Sequence, residues 1–327
     1  MAAIKLASNL VPFSRLTDRF VPDGYRDGHD FSTQLRMLSR IEGIQGVALG
    51  WPSQFRDGAA LGRQLNDLGL RLATVEPAIY SERRFTRGAL SSSDPAVRRA
   101  AIDIVKGTAD QALAAGAADM NLWLAQDGFD YVLGTHYPDA WNYLMDSLQE
   151  VAWHTPALPI SIEYKCKEPR ANTYVGNCGR ALLIAGRIGR PHVGITLDIG
   201  HALAALENPA ECAALAMREG LLRQVHLNDN YREWDLDLIP GAANPWDLIE
   251  FMYWVRKLGY DGWFCVDVFP YREDGTEALD RTVQAVDRAC RAADALEAAG
   301  VEDLLKAGRH LEALGLLWGM LGPDGDG

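Results

Sequence analysis

Acidic and imidazole side chains recur at the ends of short apolar segments between residues 160 and 267. Glu163 lies near the end of segment 160–165, and Asp198 ends the β-branched segment 193–198. Short apolar runs that are each followed by a helical pattern indicate buried parallel strands. Since the carboxyl ends of neighbouring parallel strands converge, we expect these side chains to meet at the mouth of a barrel or sheet.

Two further side chains, His226 and Asp267, end the next two apolar segments. The three carboxylates among these four side chains, gathered at neighbouring strand ends, would repel one another unless a cation lay among them. This set of ligands is typical of Mn²⁺, Co²⁺ or Mg²⁺ rather than of an ion that prefers thiolates. The sequence therefore predicts a divalent metal site formed by Glu163, Asp198, His226 and Asp267.

A second group of candidate ligands lies close to the first in sequence. His201 follows Asp198 by three residues, and Asp235 and Asp237 are two residues apart, so that in an extended loop they point the same way. With Asp198 shared, these side chains predict a second ion, and the chain would hold one or two divalent ions. The alternative is a solvated acidic loop, since Glu233 is nearby.

Three more side chains are candidates for contacting a substrate in the same cleft. Lys165 lies two residues after Glu163, and its ammonium group can stabilise negative charge on a substrate oxygen. Trp51 and Trp123 end the second and fourth predicted strands, where they can form an apolar wall. Simpler interpretations are that Lys165 neutralises Glu163 or Glu168 and that Trp123 packs in the core.

The alternation of strand and helix patterns predicts the elements that position these residues. Strand-like segments occur at 4–9, 46–51, 71–76, 119–125, 160–165, 193–198, 222–226 and 263–267. Helical spacing follows them at 31–41, 59–68, 94–114, 139–153, 175–188, 209–219, 245–258 and 276–298. Eight such units predict an α/β fold, a closed (β/α)8 TIM barrel. The competing doubly wound sheet usually has a Gly-rich phosphate loop after its first strand, and segment 8–12 is not one.

Two segments fall outside this repeat. Residues 13–30 form a long connection of mixed charge, which is a candidate flap over the barrel mouth. Residues 301–321 have amphipathic spacing, which predicts a helix or helix pair that packs either on its own barrel or on a second subunit. We therefore expect the barrel at residues 1–300 and a C-terminal helical extension at 301–327.

The composition disfavours several classes of protein. The chain has 327 residues, is 48% apolar and carries a formal net charge of -12, which argues against nucleic-acid binding. No segment approaches the length of a membrane span, and the first ten residues lack the basic and apolar regions of a signal peptide. The five cysteines are scattered without a CxxC pair, as is ordinary for reduced thiols. We therefore expect a cytoplasmic protein with no membrane partner.

The candidate residues also form ordered motifs: Glu163-x-Lys165, Asp198-x-x-His201, His226-x-Asn228-Asp229, Asp235-x-Asp237 and Asp267. This set resembles the metal sites of the xylose isomerase-like TIM-barrel superfamily. The pattern is closest to L-rhamnose isomerase and xylose isomerase, and it is similar to the D-tagatose 3-epimerase group. The resemblance implies a structural metal held by Glu163, Asp198, His226 and Asp267. It also implies a catalytic metal held by Asp198, His201, Asp235 and Asp237.

The resemblance implies a metal-dependent aldose–ketose isomerase that acts on a small, unphosphorylated sugar by a metal-assisted 1,2-hydride shift. Mn²⁺ is the expected ion, with Co²⁺ or Mg²⁺ as alternatives, and a homo-oligomer, dimer or tetramer, is expected. The expected catalytic residues are Glu163, Lys165, Asp235 and Asp237, and Trp51, Glu76, Trp123, Lys165 and Asn228 are expected to bind the sugar. A rival is a ketose 3-epimerase, in which Glu163 abstracts a proton to give an enediolate. A third interpretation is a non-catalytic sugar-binding barrel.

The chain departs from the isomerase pattern in the group that opens the sugar ring. The isomerases use a histidine on an early strand, and no histidine lies between His29 and His136. Ring opening would therefore need Glu76 or a metal-bound water, or the substrate would be taken already open. The apurinic endonucleases of the superfamily use a histidine-rich trinuclear site and hold DNA, which seven histidines and a net charge of -12 fit badly.

Overall fold

The computed structural model, which describes residues 4–320, folds into a closed parallel barrel. The described strands are, in chain order, β1 (Lys5–Ser8), β2 (Ile44–Trp51), β3 (Arg71–Pro77), β4 (Asp119–Trp123), β5 (Gly128–Phe129), β6 (Ile160–Glu163), β7 (Asn172–Thr173), β8 (Val193–Asp198), β9 (Leu222–Leu227) and β10 (Trp263–Val266). Around the barrel the order is β1, β10, β9, β8, β6, β4, β3 and β2, and neighbouring strands are parallel. The predicted (β/α)8 barrel is confirmed.

Helices connect these strands and cover the outside of the barrel. They are α1 (Phe31–Leu38), α2 (Gly58–Asp67), α3 (Pro95–Ala115), α4 (Tyr137–His154), α5 (Cys178–Ile188), α6 (Ile199–Ala204), α7 (Pro209–Arg218), α8 (Pro245–Lys257), α9 (Gly275–Ala298), α10 (Val301–Lys306) and α11 (His310–Gly319). The strand β8 is buried at all six positions because helices cover its outer side and the barrel interior covers the other.

Local sequence signals explain where several of these helices begin. Asp94 accepts a hydrogen bond from the Ala96 N–H, and Pro95 occupies the first helical turn of α3. The same side-chain capping begins helices at Asp30, Asp57, Asn177, Asn208 and Asp274. Each cap satisfies a backbone N–H that has no partner within the helix.

Three short elements were not predicted from the sequence. The strands β5 and β7 pair with each other outside the barrel, antiparallel, and α6 begins directly at the end of β8. Two-residue strands and a six-residue helix are too short to produce a recognisable apolar period. Two of the three matter for the site, because α6 positions His201 and β7 follows the loop that contains Lys165.

The predicted C-terminal helices are present as the pair α10 and α11. Val301 and Ala313 are buried against the barrel core, whereas Leu311 and Trp318 are exposed. The pair therefore packs at least in part on its own barrel, and its packing on a second subunit stays a prediction. Residues 1–3 and 321–327 of the predicted domain bounds lie outside the described residues.

The predicted flap, residues 13–30, has no regular element after the 3-10 turn Val11–Phe13. Leu16 is buried, and the Tyr25 ring contacts the edge of Tyr271 in the loop after β10, with the ring centroids 5.0 Å apart. This connection therefore packs beside the carboxyl end of the barrel. Among residues 4–320, no helix has the length and apolar character needed to cross a membrane.

Candidate metal and substrate site

A cavity of about 340 Å³ opens at the carboxyl ends of the barrel strands. Its lining includes most of the candidate residues, namely Glu76, Trp123, Glu163, Lys165, His201, His226, Asp235, Asp237 and Asp267. Asp198 is fully buried beneath it. Because each of these residues ends a strand or lies in the segment that follows one, the parallel barrel brings them to one place.

The four side chains predicted for the first metal lie together. Glu163, Asp198, His226 and Asp267 each offer a ligand atom, and these atoms all lie within 4.8 Å of one another. Among residues 4–320 they are the one group of three or more His, Cys, Asp or Glu side chains gathered this closely. The parallel register pairs Asp198 with His226, and His226 with Cys265 two residues before Asp267, so backbone pairing alone sets three of the four side by side.

The surroundings of His226 fit a bound cation. Its Nδ1 lies 3.4 Å from Glu163, 3.7 Å from Asp198 and 3.9 Å from Asp267, yet neither ring nitrogen has a hydrogen-bond partner among the described residues. Burial alone lowers the pKa of His226, but the charges of Glu163, Asp267 and Asp198 raise it to about 10. This strongly negative field favours positive charge at the centre of the group, and the donor set suits a divalent ion.

Two amides hold the carboxylates of this group in place. Asn121 Nδ2 donates to Glu163 Oε2 over 2.6 Å, and Asn9 Nδ2 donates to Asp267 Oδ1 over 2.6 Å. The Thr196 hydroxyl in turn donates to Asn121 Oδ1. Outer hydrogen bonds of this kind orient ligands and tune a metal site. Sequence reasoning missed both asparagines, although a polar residue within the apolar segment 119–125 is a signal that could have found Asn121.

The residues predicted for a second ion adjoin the first group. His201 Nε2 lies 3.1 Å from Asp235 Oδ2, and its Nδ1 lies 3.2 Å from Glu163 Oε1. His201 thus joins the two sets, because Asp198 caps the start of α6 and this helix directs the imidazole into the cavity. The ligand atoms of Asp198, His201, Asp235 and Asp237 are not gathered as closely as those of the first group, and the second ion stays a prediction.

Lys165 is tied to the acidic loop. Its Nζ lies 2.8 Å from Asp235 and 2.7 Å from Glu168, and it sits 5.2 Å from the centroid of the Trp123 ring. Burial alone lowers the pKa of Lys165, but the charges of Asp235 and Glu168 raise it above its usual value. The side chain is therefore a permanent cation at the wall of the cavity. A simpler interpretation of Lys165 was that it neutralises Glu163 or Glu168, and the structure shows its contact with Glu168.

The candidate substrate residues are not all brought to the cavity. Trp123 lines it, and its ring contacts Tyr80 edge-on with centroids 4.9 Å apart. Trp51 is directed outwards, against Gly107 of α3. Side chains alternate along a strand, and since Gly50 faces the cavity, the next residue must face the helices.

Both polar atoms of the Asn228 amide make hydrogen bonds behind the cavity wall. Its Nδ2 donates to Asp198 Oδ2 over 2.9 Å and lies 3.4 Å from Asp237 Oδ1, while its Oδ1 accepts the Gly200 N–H over 2.8 Å. Asn230 donates from the same loop to the Gly200 carbonyl. Asn228 is buried and does not line the cavity, so its contacts position ligands of both sets.

Gly200 has no side chain, which allows the Asn228 amide to lie close to its backbone. A Cβ at residue 200 would overlap Asn228 Oδ1, so Gly200→Ala should lower the free energy of unfolding by about 1–3 kcal/mol and weaken divalent-ion binding. Chemical denaturation and metal titration measure the two effects. Gly186→Ala, within α5 where no atom lies within 4 Å of the added Cβ, is the matched control. It should stabilise the protein by about 0.5–1 kcal/mol, and equal behaviour of the two variants would contradict this role of Gly200.

Glu76 lies at the end of β3 and lines the cavity on the side away from the acidic loop. Its carboxylate accepts hydrogen bonds from Tyr80 and Asn121, both over 3.2 Å. Burial, followed by the negative charge of Glu163, raises the pKa of Glu76 to about 8. A pKa in this range suits a carboxyl group that gives and takes a proton near neutral pH.

Comparison with known proteins agrees with this geometry. The sequence profile described as a xylose isomerase-like TIM barrel matches residues 35–290. The xylose isomerase of Thermus thermophilus is 26% identical over 241 residues, which cover 71% of this chain and 62% of that enzyme. The chain thus spans less than two thirds of that enzyme's length.

Solved structures share the fold at lower identity. The D-allulose 3-epimerase of a Methylomonas species superposes with a TM-score of 0.67 and 14% identity, over 88% of this chain and 98% of that one. The IOLI protein, solved with a zinc atom, superposes with a TM-score of 0.62 and 15% identity, over 89% of this chain and 98% of that one. At this level of identity the likeness concerns the barrel fold.

Proposed function

Since the chain belongs to the xylose isomerase-like TIM barrel family, we propose that it is a metal-dependent aldose–ketose isomerase acting on a small, unphosphorylated sugar. The observation that carries this proposal is that one cavity, with Asp198 buried beneath it, gathers the four-ligand group together with Lys165, His201, Asp235 and Asp237. The xylose isomerase relative adds weight to this assignment. Because the match covers only part of that enzyme, the main support for the proposed activity comes from the residues of this chain's own site.

The four-ligand group is the proposed site of a divalent ion, with Mn²⁺ as the first candidate and Co²⁺ or Mg²⁺ as alternatives. Three carboxylates and one imidazole favour such ions, and the zinc atom of the IOLI protein, which shares the fold, supports a divalent ion in a barrel of this type. A second ion is proposed at Asp198, His201, Asp235 and Asp237. When bound, such ions supply Lewis-acid polarisation of a sugar carbonyl and hold its neighbouring oxygens.

The protein's own residues have separate tasks in this proposal. The Lys165 ammonium group stabilises negative charge that develops on a sugar oxygen while a hydrogen moves between adjacent carbons. The Trp123 ring forms the apolar wall of the cavity. Together they hold the sugar against the ligand sets.

The cavity favours a small sugar without phosphate. A volume of about 340 Å³ is near the lower end for ligand pockets, roughly 300–1,000 Å³. Lys165 is the one Lys or Arg in the described cavity lining, and it is paired with Asp235 and Glu168. A phosphate group would therefore meet mainly carboxylates.

A sugar 3-epimerase is the second candidate, and one observation favours it. The described residues gather one compact ligand group rather than two, which suits an enzyme with a single ion. In that case Glu163 would abstract a proton beside the carbonyl and the reaction would pass through an enediolate. Retention of the substrate hydrogen distinguishes the hydride route from this proton route.

The first test is the metal content of the purified protein together with an aldose and ketose turnover screen, with and without added Mn²⁺. We expect about two ions per chain and metal-dependent interconversion of a free aldose and ketose, without solvent deuterium in the product. One ion with carbon-3 epimerisation and deuterium incorporation would move the assignment to the epimerase. Sugar binding without any turnover would support a non-catalytic barrel, and no metal binding after Mn²⁺ is supplied would remove the basis of the proposal.

A further inference from the structure

The two sides of the cavity differ in chemistry. The ligand groups and Lys165 come from β6 onwards, that is, from the carboxyl-terminal half of the barrel. In the other half, the described lining contains Asn9, Ser53, Gln54, Thr74, Asn121, apolar or glycine residues, and two titratable groups, Glu76 and Tyr80. Any proton exchanged by a side chain with the part of a substrate on this side has to pass through one of these two.

The place of Glu76 in the barrel and its two hydrogen bonds make it suitable for exchanging a proton with a substrate. In the barrel order β3 lies across from β9, which contains His226, and two strands from β6, which contains Glu163, so Glu76 lies beside the metal-ligand group on its Glu163 side. Its register partner on β2 is Gly50, which has no side chain to cover the carboxylate. The Tyr80 hydroxyl donates to Oε2 and Asn121 Nδ2 donates to Oε1.

Glu76 is also fixed relative to the first ligand group without being part of it. The same Asn121 Nδ2 that donates to Glu76 donates to Glu163. The four-ligand group does not include Glu76. A substrate held by the ligand group would therefore meet the Glu76 carboxyl at a defined place near Glu163.

We propose that Glu76, supported by Tyr80, is the acid–base group that opens the cyclic form of the sugar. This inference rests on the proposed isomerase function, because a carbonyl must be free before it can move along the chain. It assigns ring opening to a side chain of this protein, where the sequence leaves a metal-bound water or an already open substrate as alternatives.

The step is a balanced proton exchange. The Glu76 carboxyl gives its proton to the ring oxygen as the bond between that oxygen and the anomeric carbon breaks. The anomeric hydroxyl becomes the carbonyl, and its proton returns to the glutamate, which ends the step protonated as it began. A protonated carboxyl suits both transfers because it offers a donor and an acceptor on adjacent atoms, and burial of Glu76 favours its protonated form.

The test compares a sugar that forms a ring with one too short to do so. For Glu76→Gln we expect kcat/KM for D-xylose to fall about 100-fold or more. Turnover of D-glyceraldehyde to dihydroxyacetone should stay within about threefold of wild type, because a triose has no ring to open. Tyr80→Phe should show the same pattern with a smaller loss. Glu82→Gln, exposed in the loop after β3, is the control and should resemble wild type for both sugars.

Anomer interconversion of D-xylose, followed by NMR exchange, separates this inference from the proposed function, because it needs ring opening alone. Accelerated interconversion with the wild-type protein and its loss in Glu76→Gln support the role of Glu76 even if no ketose forms. Equal acceleration by wild type and Glu76→Gln, or none by either, would overturn it. Equal losses with D-xylose and D-glyceraldehyde would also overturn it, since they indicate a general role in binding or folding.

Discussion

An Asp198→Asn variant is expected to lose divalent-ion binding and to lower sugar turnover by roughly 10³-fold. Asp198 is fully buried and belongs to both proposed ligand sets. Its Oδ1 accepts the His201 N–H and its Oδ2 accepts from Asn228. An asparagine has one acceptor oxygen, so its amide nitrogen would face a donor on one side. The variant therefore loses the negative charge and also disturbs the loops that position the remaining ligands.

Metal content by mass spectrometry, turnover, and the change in melting temperature on adding Mn²⁺ measure this prediction. Wild type should gain about 2.7 kcal/mol of stability when free ion is at 100 times its Kd, and Asp198→Asn should gain little. Asp146→Asn, an exposed position on α4, makes the same chemical change far from the cavity and should behave as wild type. If Asp198→Asn retains its ion and most of its turnover, the proposed metal site is wrong.

The paired substitution Asp235→Asn with Asp237→Asn is expected to lower turnover by about 10²–10³-fold while the four-ligand group keeps its ion. Asp235 contacts both His201 and Lys165, and Asp237 lies beside Asn228. Removing both charges leaves the predicted second ion with two of its four ligands. Lys165 keeps Glu168 as its remaining partner and is less firmly directed at the substrate.

The measurement is metal content per chain beside kcat and KM for the best substrate. We expect about one ion per chain instead of two, with a loss mainly in kcat. Glu233→Gln, exposed in the same loop, is the matched control. Undiminished turnover with one ion would show that the second set is not needed and would favour the single-ion epimerase route. Retained sugar binding in a wild type that lacks turnover would favour the non-catalytic barrel.

The sequence by itself determined the barrel and the meeting of the first four ligands. Strand-length apolar segments alternating with helical patterns permit few architectures, and the carboxyl ends of parallel strands in a barrel must converge. Because Glu163, Asp198, His226 and Asp267 each end such a segment, their closeness follows from local patterns and the parallel fold. The observed strand and helix bounds differ from the predicted ones by a few residues, and the four ligands still meet.

The tertiary structure alone decided which other side chains face the cavity and what holds the ligands. Trp51 points to α3 because side chains alternate along β2 and Gly50 has the inward position. Which residues of β2 face inwards depends on its register with β3 and on the irregularity between Val47 and Ala48. The contact between Asn9 and Asp267 joins residues 258 positions apart. No local period encodes such a hydrogen bond, since it arises only when barrel closure places β1 beside β10. The surroundings of Glu76 depend in the same way on three-dimensional packing.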